Sequence, residues 1–407
     1  MKRPAGEELP QATPPQPSKQ YDVVAGLPSY MEEEGISFVT SVIDKGCQLY
    51  FPGKKCLLLN ADCKSTDETK KKFLETETVC DKEFHCTAIT AEGKGAGLRL
   101  VFQRMVEVNA PMGFCVDTDL TTITPEWVRS FASALLGGCD MATPRYQRHR
   151  CDGTITNLVT YPVVSALFGQ SVRQPIGGDF AFSLKAVKAY LEPEWTPTIK
   201  KYGIDIFMTT TVISKDFKLV EVELPAKVHS PSLPKLVGMV EQVVGTLLAQ
   251  IKMSEDAVKA KLAQEVLTPD RVKWGGGGDM SVPEMDTDPK VLAGKAKECF
   301  EANKDLLVAE TPKAIIPDIA AAVESAALSA ALWAELLFWG IGEYCQRPAE
   351  KRGAIVKILQ LFYLLRAVSH LSHVQPMTNE AAEDVVSEQL ELIKKQRPAL
   401  AKRLSAA

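Results

Sequence analysis

The sequence predicts an α/β protein built on a mainly parallel sheet, with a largely helical C-terminal part. Three observations predict it. Lys55-Cys56-Leu57-Leu58-Leu59-Asn60 is a continuous apolar run that closes on polar turn residues, Ala61 to Thr69, before a charged helix through Phe73. That succession of buried strand, polar turn and helix is the repeat of a parallel sheet covered on both faces. Phe114 to Leu120 is a second short apolar run, and it ends in Asp117-Thr118-Asp119. From Leu236 onward the apolar spacing is helical, broken by Gly275 to Gly278 and by an acidic, Pro-containing linker near residues 280–289.

At 407 residues, with 45% hydrophobic and 24% charged residues, the chain buries a large core. The formal charge of −4 argues against a broad nucleic-acid or anionic-membrane surface. Ten cysteines are scattered without a Cys-x-x-Cys pair, so reduced thiols in the cytoplasm are expected and a zinc knuckle is not. Residues 1–20 hold five prolines and no apolar leader core, and read as a disordered tail. The most apolar later stretch, Ala314 to Tyr344, is interrupted by Asp318, Glu324 and Glu335, so no membrane span is expected.

Within the α/β part, Tyr21 to Leu27 is a strand leading into a Pro28-Ser29 turn, and Glu32, Glu33 and Glu34 read as the first turn of an apolar helix. Gly93-Lys94-Gly95-Ala96-Gly97 opens another helix, where backbone amides and an ammonium can approach a phosphate, although the spacing is no Walker loop. Thr124-Pro125-Glu126 starts a capped helix. Arg145, Arg148 and Arg150 form the densest basic patch, just before Gly153-Thr154-Ile155-Thr156. Gln174 to Asp179 is a Pro-Gly-Gly loop, Asp205 stands near a helix start, Phe217 to Leu224 alternates as an edge-type strand, and His229 follows it. Asp117 and Asp119 at a strand end share one side, where two carboxylates can grip a hard cation. His370 and His373 lie three apart with no third ligand at metal spacing.

In this order, these features resemble the nucleotide-sugar glycosyltransferases of the GT-A fold, specifically the retaining glucosyl-3-phosphoglycerate and mannosylglycerate synthases. The resemblance covers about residues 21–240. It implies a GT-A domain at 21–235; the helical extension at 236–407 reads as a helical cap or a dimerisation bundle, and a homodimer is the expected assembly. It also implies that Pro28, Ser29, Tyr30 and Glu32 line the base and ribose, that Asn60 or Asp62 holds the base, and that Lys94 meets the phosphates. Asp119 and His229 would bind Mg²⁺ or Mn²⁺, with Asp117 against ribose and metal. Asp179 would accept from donor-sugar hydroxyls and Asp205 would lie near the acceptor or the reacting sugar. Arg148, Gly153 and Thr156 would meet the acceptor.

Two positions depart from the pattern. Thr154 stands where the phosphoglycerate enzymes carry an arginine, which favours an unphosphorylated acid such as glycerate, and Met31 replaces the usual asparagine. The expected activity is retaining transfer of glucose or mannose from a UDP- or GDP-hexose to D-glycerate or 3-phosphoglycerate, suited to compatible-solute synthesis. Two alternatives are an inverting transferase acting on a lipid or polysaccharide, for which no Gln-x-x-Arg-Trp element is present, and a non-catalytic nucleotide-sugar-binding protein.

Overall fold

The computed structural model describes residues 20–228, 235–276, 281–285 and 287–405. His229 and all but the last residue of the expected tail lie outside them.

Among the described residues, eight strands form one sheet: β1 (Val23–Ser29), β2 (Cys56–Asp62), β3 (Asp81–Cys86), β4 (Met112–Cys115), β5 (Met141–Tyr146), β6 (Phe180–Ser183), β7 (Leu219–Leu224) and β8 (Asp270–Val272). Their order is β3-β2-β1-β4-β6-β5-β7-β8. Only β6 runs against its neighbours, β4 and β5. This is the mainly parallel α/β sheet expected from the sequence, followed by a mostly helical C-terminal part.

Alternation along the central strands fills two cores. Leu57, Leu59 and Ala61 of β2 face one side, where they join Leu98, Val101, Phe102 and Met105 of the helix Lys94–Glu107. Val23, Ala25 and Leu27 of β1 face the other, against Ile36, Val39 and Ile43 of the helix Ile36–Tyr50. The first core continues into the C-terminal helices Ala330–Gln346 and Arg352–Val374, through Trp333, Phe362 and Tyr363. Trp333 also donates its indole N–H to the Leu158 carbonyl at 2.9 Å. Burying three such aromatics, at roughly 2 kcal/mol each, fastens these helices to the sheet far more firmly than a linker would.

Several local expectations change. The strand over Leu219–Leu224 is not an edge, because β8 pairs alongside it, and Glu221 within it is fully buried. Its carboxylate is satisfied by the Arg173 amide at 2.7 Å, with Arg145 and Arg271 each at 3.4 Å. Glu32 to Glu34 precede the helix rather than occupy its first turn, which begins at Ile36. Thr124 holds the expected N-cap position without a side-chain capping bond. Among the described residues two helices, Leu236–Met253 and Ala349–Val374, are long and apolar enough to cross a membrane by length and composition. Half of the first apolar window and 78% of the second are buried within the chain.

The register pairs Ser29 with Asp62 and Gly26 with Cys115. The carboxyl ends of β1, β2 and β4 therefore meet at one edge, where ligands gather on sheets of this kind.

Candidate active site

A cavity of about 720 Å³ opens at that edge. Pro28, Ser29, Tyr30 and Glu32 line it from the end of β1, and Lys94, Asp117, Asp119 and Asp205 from the helix starts and the loop after β4. Arg148, Gly153 and Thr156 form a further part of its wall. Residues spread over nearly 180 positions thus share one space.

At its floor lies a charge cluster. Lys94 Nζ donates to Asp117 Oδ1 at 2.6 Å and to the Gly178 carbonyl at 2.7 Å. Lys227 Nζ donates to Asp117 Oδ2 at 2.8 Å and to Asp179 Oδ2 at 3.0 Å. Burial works against the Asp117 carboxylate, but Lys227 and Lys94 outweigh it and hold its pKa below the usual carboxylate range. Burial likewise opposes charge on Lys94, and Asp117 and Asp205 more than restore it.

Asp179 does not reach the cavity, which corrects its expected role at the donor sugar. It is fully buried, with Oδ1 accepting from the Asp117 amide at 2.7 Å and Oδ2 accepting from Tyr146 and Lys227. Its carboxylate is spent on fixing the backbone and ammonium beneath Asp117. Asn60 is also enclosed, donating to the Leu27 carbonyl and to Ser29 Oγ, both at 2.8 Å. Asp62 receives Ser29 Oγ at 2.9 Å and the Ser65 amide at 2.7 Å. This network shapes the β1 and β2 ends from behind, so neither Asn60 nor Asp62 is presented to a base. Met31, beside it, adopts φ of 59°, a left-handed conformation that asparagine takes more readily.

The glycine-rich start of the helix Lys94–Glu107 serves packing. The Gly95 and Ala96 amides donate to the Lys201 and Lys200 carbonyls at 3.2 and 2.8 Å, so these amides are not offered to a phosphate. A Cβ at Gly95 would meet the Ile199 carbonyl oxygen at 1.9 Å, which explains the glycine. Only the Lys94 side chain turns into the cavity.

Asp205 is 8% exposed, and its Oδ1 has no hydrogen-bond partner; Lys94 Nζ stands 4.0 Å away. Burial raises its pKa to about 6, against the opposing pull of Lys94. A buried acceptor without a donor, facing a cavity, is suited to a substrate hydroxyl. Arg148 is held by Gln174 Oε1 at 3.0 Å and Asp152 Oδ2 at 2.7 Å. Thr154 Oγ1 and the Tyr363 hydroxyl share a hydrogen bond at 2.6 Å.

The oxygen donors suit a hard divalent ion. Among the described residues Asp119 has no hydrogen-bond or ion-pair partner, and it lines the cavity near Glu32. Burial raises the Glu32 pKa to about 7, and Asp119 and Asp117 add to the rise. Asp119 is the available ligand for such an ion; Asp117, already gripped by two lysines, is the less available one.

Sequence reasoning missed Lys227, Tyr146 and Tyr202. It also missed Leu236, Met239, Met285 and Leu371, by which the C-terminal part adds an apolar wall to the cavity. Lys227 stands two residues before the histidine singled out in the sequence, and only the fold turns its ammonium inward.

Residues 66–247 match the family model described as "Mannosylglycerate synthase, GT domain". No curated protein matches the sequence. Among solved structures, glucosyl-3-phosphoglycerate synthase from Mycobacterium tuberculosis, in complex with Mn²⁺, UDP and glucosyl-3-phosphoglycerate, is 23% identical. That match covers 56% of this chain and 80% of the other, with a TM-score of 0.45. The same enzyme with Mn²⁺, UDP-glucose and phosphoglyceric acid is 22% identical, with coverage of 56% and 79% and a TM-score of 0.45. Over residues 66–247 the chain resembles the glycosyltransferase domain of mannosylglycerate synthase, and this resemblance supports a hexosyltransferase of GT-A type.

Proposed function

We propose that this protein is a retaining, divalent-metal-dependent hexosyltransferase that moves glucose or mannose from a UDP- or GDP-sugar to D-glycerate or 3-phosphoglycerate. The observation that carries the reading is the convergence of Asp119, Glu32, Lys94, Asp205 and Arg148 on one cavity at the carboxyl edge of the sheet. In this reading, residues 21–235 form the transferase domain and 236–407 a helical extension that closes one cavity wall. Ten free cysteines suit a cytoplasmic setting.

Asp119 and His229 would hold Mg²⁺ or Mn²⁺, and Glu32 would meet the ribose. The bound ion supplies Lewis-acid stabilisation to the departing diphosphate. Pro28, Ser29 and Tyr30 border the nucleoside. Lys94 adds a fixed positive charge beside the phosphates, preorganised by Asp117 and therefore costing little reorganisation when negative charge develops. Asp205 accepts a hydroxyl of the donor sugar or the acceptor. Arg148 meets the acceptor carboxylate between Gly153 and Thr156. With Thr154 tied to Tyr363 and Arg148 partly neutralised by Asp152, the cavity favours glycerate over its phosphate ester.

The test is to incubate the protein with Mg²⁺ or Mn²⁺, a panel of UDP- and GDP-sugars, and glycerate or 3-phosphoglycerate. Nucleotide release and an α-linked product from an α-linked donor are expected. Absence of release with every pair would sink the reading, and an inverted product would sink its retaining form.

A further inference from the structure

A second cluster lies at the opposite end of the sheet. Cys47 comes from the last turns of the helix Ile36–Tyr50, Cys56 is the first residue of β2, and Cys80 immediately precedes β3. Their three sulfurs lie within 4.8 Å of one another, the only group of potential ligands so spaced among the described residues. Cys56 and Asp62 bound the seven residues of β2, so about 20 Å separates this cluster from the cavity edge.

From these observations we propose that Cys47, Cys56 and Cys80 form a structural thiolate site for Zn²⁺, independent of the sugar-transfer site. Zinc–thiolate bonds of about 2.3 Å in tetrahedral geometry place sulfurs about 3.8 Å apart. Adjustments of an ångström or less therefore close the three around an ion. Soft thiolates in this number select zinc over the hard, oxygen-seeking cations suited to Asp119.

The surroundings fit. Cys47 and Cys56 are buried, while Cys80 is partly exposed and gives the ion an entry path. Asp44 accepts the Cys80 amide at 2.8 Å and the Val79 amide at 3.1 Å, fixing the segment that presents Cys80. A water, reaching the ion past Cys80, completes four-coordination. The spacing in sequence, 47, 56 and 80, carries no zinc signature, because the ligands meet only through the pairing of β2 with β3. A bound ion would tie a helix, an inner strand and the edge strand β3 together.

Cobalt titration of the full-length, reduced protein tests this. One equivalent of Co²⁺ is expected to give thiolate-to-metal charge-transfer absorption and the intense visible bands of tetrahedral cobalt, both removed by one equivalent of Zn²⁺. Cys56→Ser should lose these bands, whereas Cys86→Ser, at an exposed cysteine outside the cluster, should keep them. Cys80→Ser, at the rim, repeats the test without removing a core side chain, and circular dichroism checks its folding. Absence of the bands in wild type, or their persistence in Cys56→Ser and Cys80→Ser, would overturn the site. So would a disulfide within the trio in protein kept under reducing conditions. Oxygen ligands at Asp119 give no thiolate band, so failure here is separate from failure of the transferase reading.

Discussion

Lys227 Nζ grips Asp117 Oδ2 at 2.8 Å from one side while Lys94 Nζ grips Oδ1 at 2.6 Å from the other. Lys227 also neutralises Asp179, whose side chain is fully buried. Replacing it by methionine leaves two carboxylates short of a cation. Lys227→Met is expected to cost about 3–5 kcal/mol of stability, the range for an unpaired buried charge. Urea unfolding checks this, and a loss under about 1 kcal/mol would show that the buried pair is not structural. Adding Asp179→Asn to that variant should recover part of the loss.

The two lysines leave almost no room at Gly178. Its φ is +93°, and a Cβ there would meet Lys227 Nζ at 2.6 Å and Asp117 Oδ2 at 2.7 Å. Gly178→Ala therefore strains the backbone, by about 1–2 kcal/mol, and displaces the cluster. Calorimetric titration with UDP and Mn²⁺ should show affinity reduced about tenfold or more. Unchanged UDP affinity would show that nucleotide binding does not depend on this cluster.

Much of this was legible in the sequence because it is local. The run ending at Asn60 and the helix after Pro125 follow from period and turn chemistry, and the Asp117-Asp119 pair announces a strand end. What was not legible depends on distant partners. Lys227 lies on a segment that reads as a strand exit, and its meaning comes from Asp117, 110 residues earlier. The glycines at 93–97 look like a phosphate loop until the 199–201 backbone packs on them. Asp179 reads as a ligand-facing acid because sequence gives no sign that Tyr146 and the Asp117 amide consume it. Residues 270–272, too short to announce a strand, nonetheless removed the edge expected at β7.

Asp119 contrasts with Asp117 in having no protein partner among the described residues. Asp119→Ala should leave the melting temperature within about 2 °C of wild type, since a partly exposed, unpaired carboxylate contributes little to folding. Metal-stimulated UDP binding and turnover should fall by at least about 100-fold. Retained metal stimulation would move the ion elsewhere in the cavity.

Arg148 and Arg145 lie on one segment but face different surroundings. Arg148 lines the cavity, whereas Arg145 reaches buried Glu221 at 3.4 Å. Arg148→Ala should raise the KM for glycerate about 10-fold or more, equivalent to roughly 1.5–3 kcal/mol for a charged hydrogen bond. Arg145→Ala should act on stability instead. Equal effects of the two substitutions on acceptor KM would remove Arg148 from the acceptor wall.

Asp205 supplies a pH signature. Its folded pKa, about 6, lies above the ordinary carboxylate value because burial disfavours the charge. A raised carboxylate pKa means that the unfolded chain releases this proton first as pH increases. The group's stabilising share is thus fully present below pH 4 and is lost as pH rises through 6. Asp205→Asn, which keeps shape and cannot ionise, should match wild-type stability near pH 4 and exceed it above pH 6. The ceiling is roughly 3 kcal/mol, from about two pKa units at about 1.4 kcal/mol each, a net shift that already includes the attraction of Lys94 at 4.0 Å. Urea midpoints of both proteins from pH 4 to 8 measure the difference. A gap that is constant with pH would show that Asp205 carries an ordinary pKa. If the same substitution also cuts turnover at pH 7.5 without unfolding the protein, the charge that destabilises the fold is the one the hydroxyl acceptor needs.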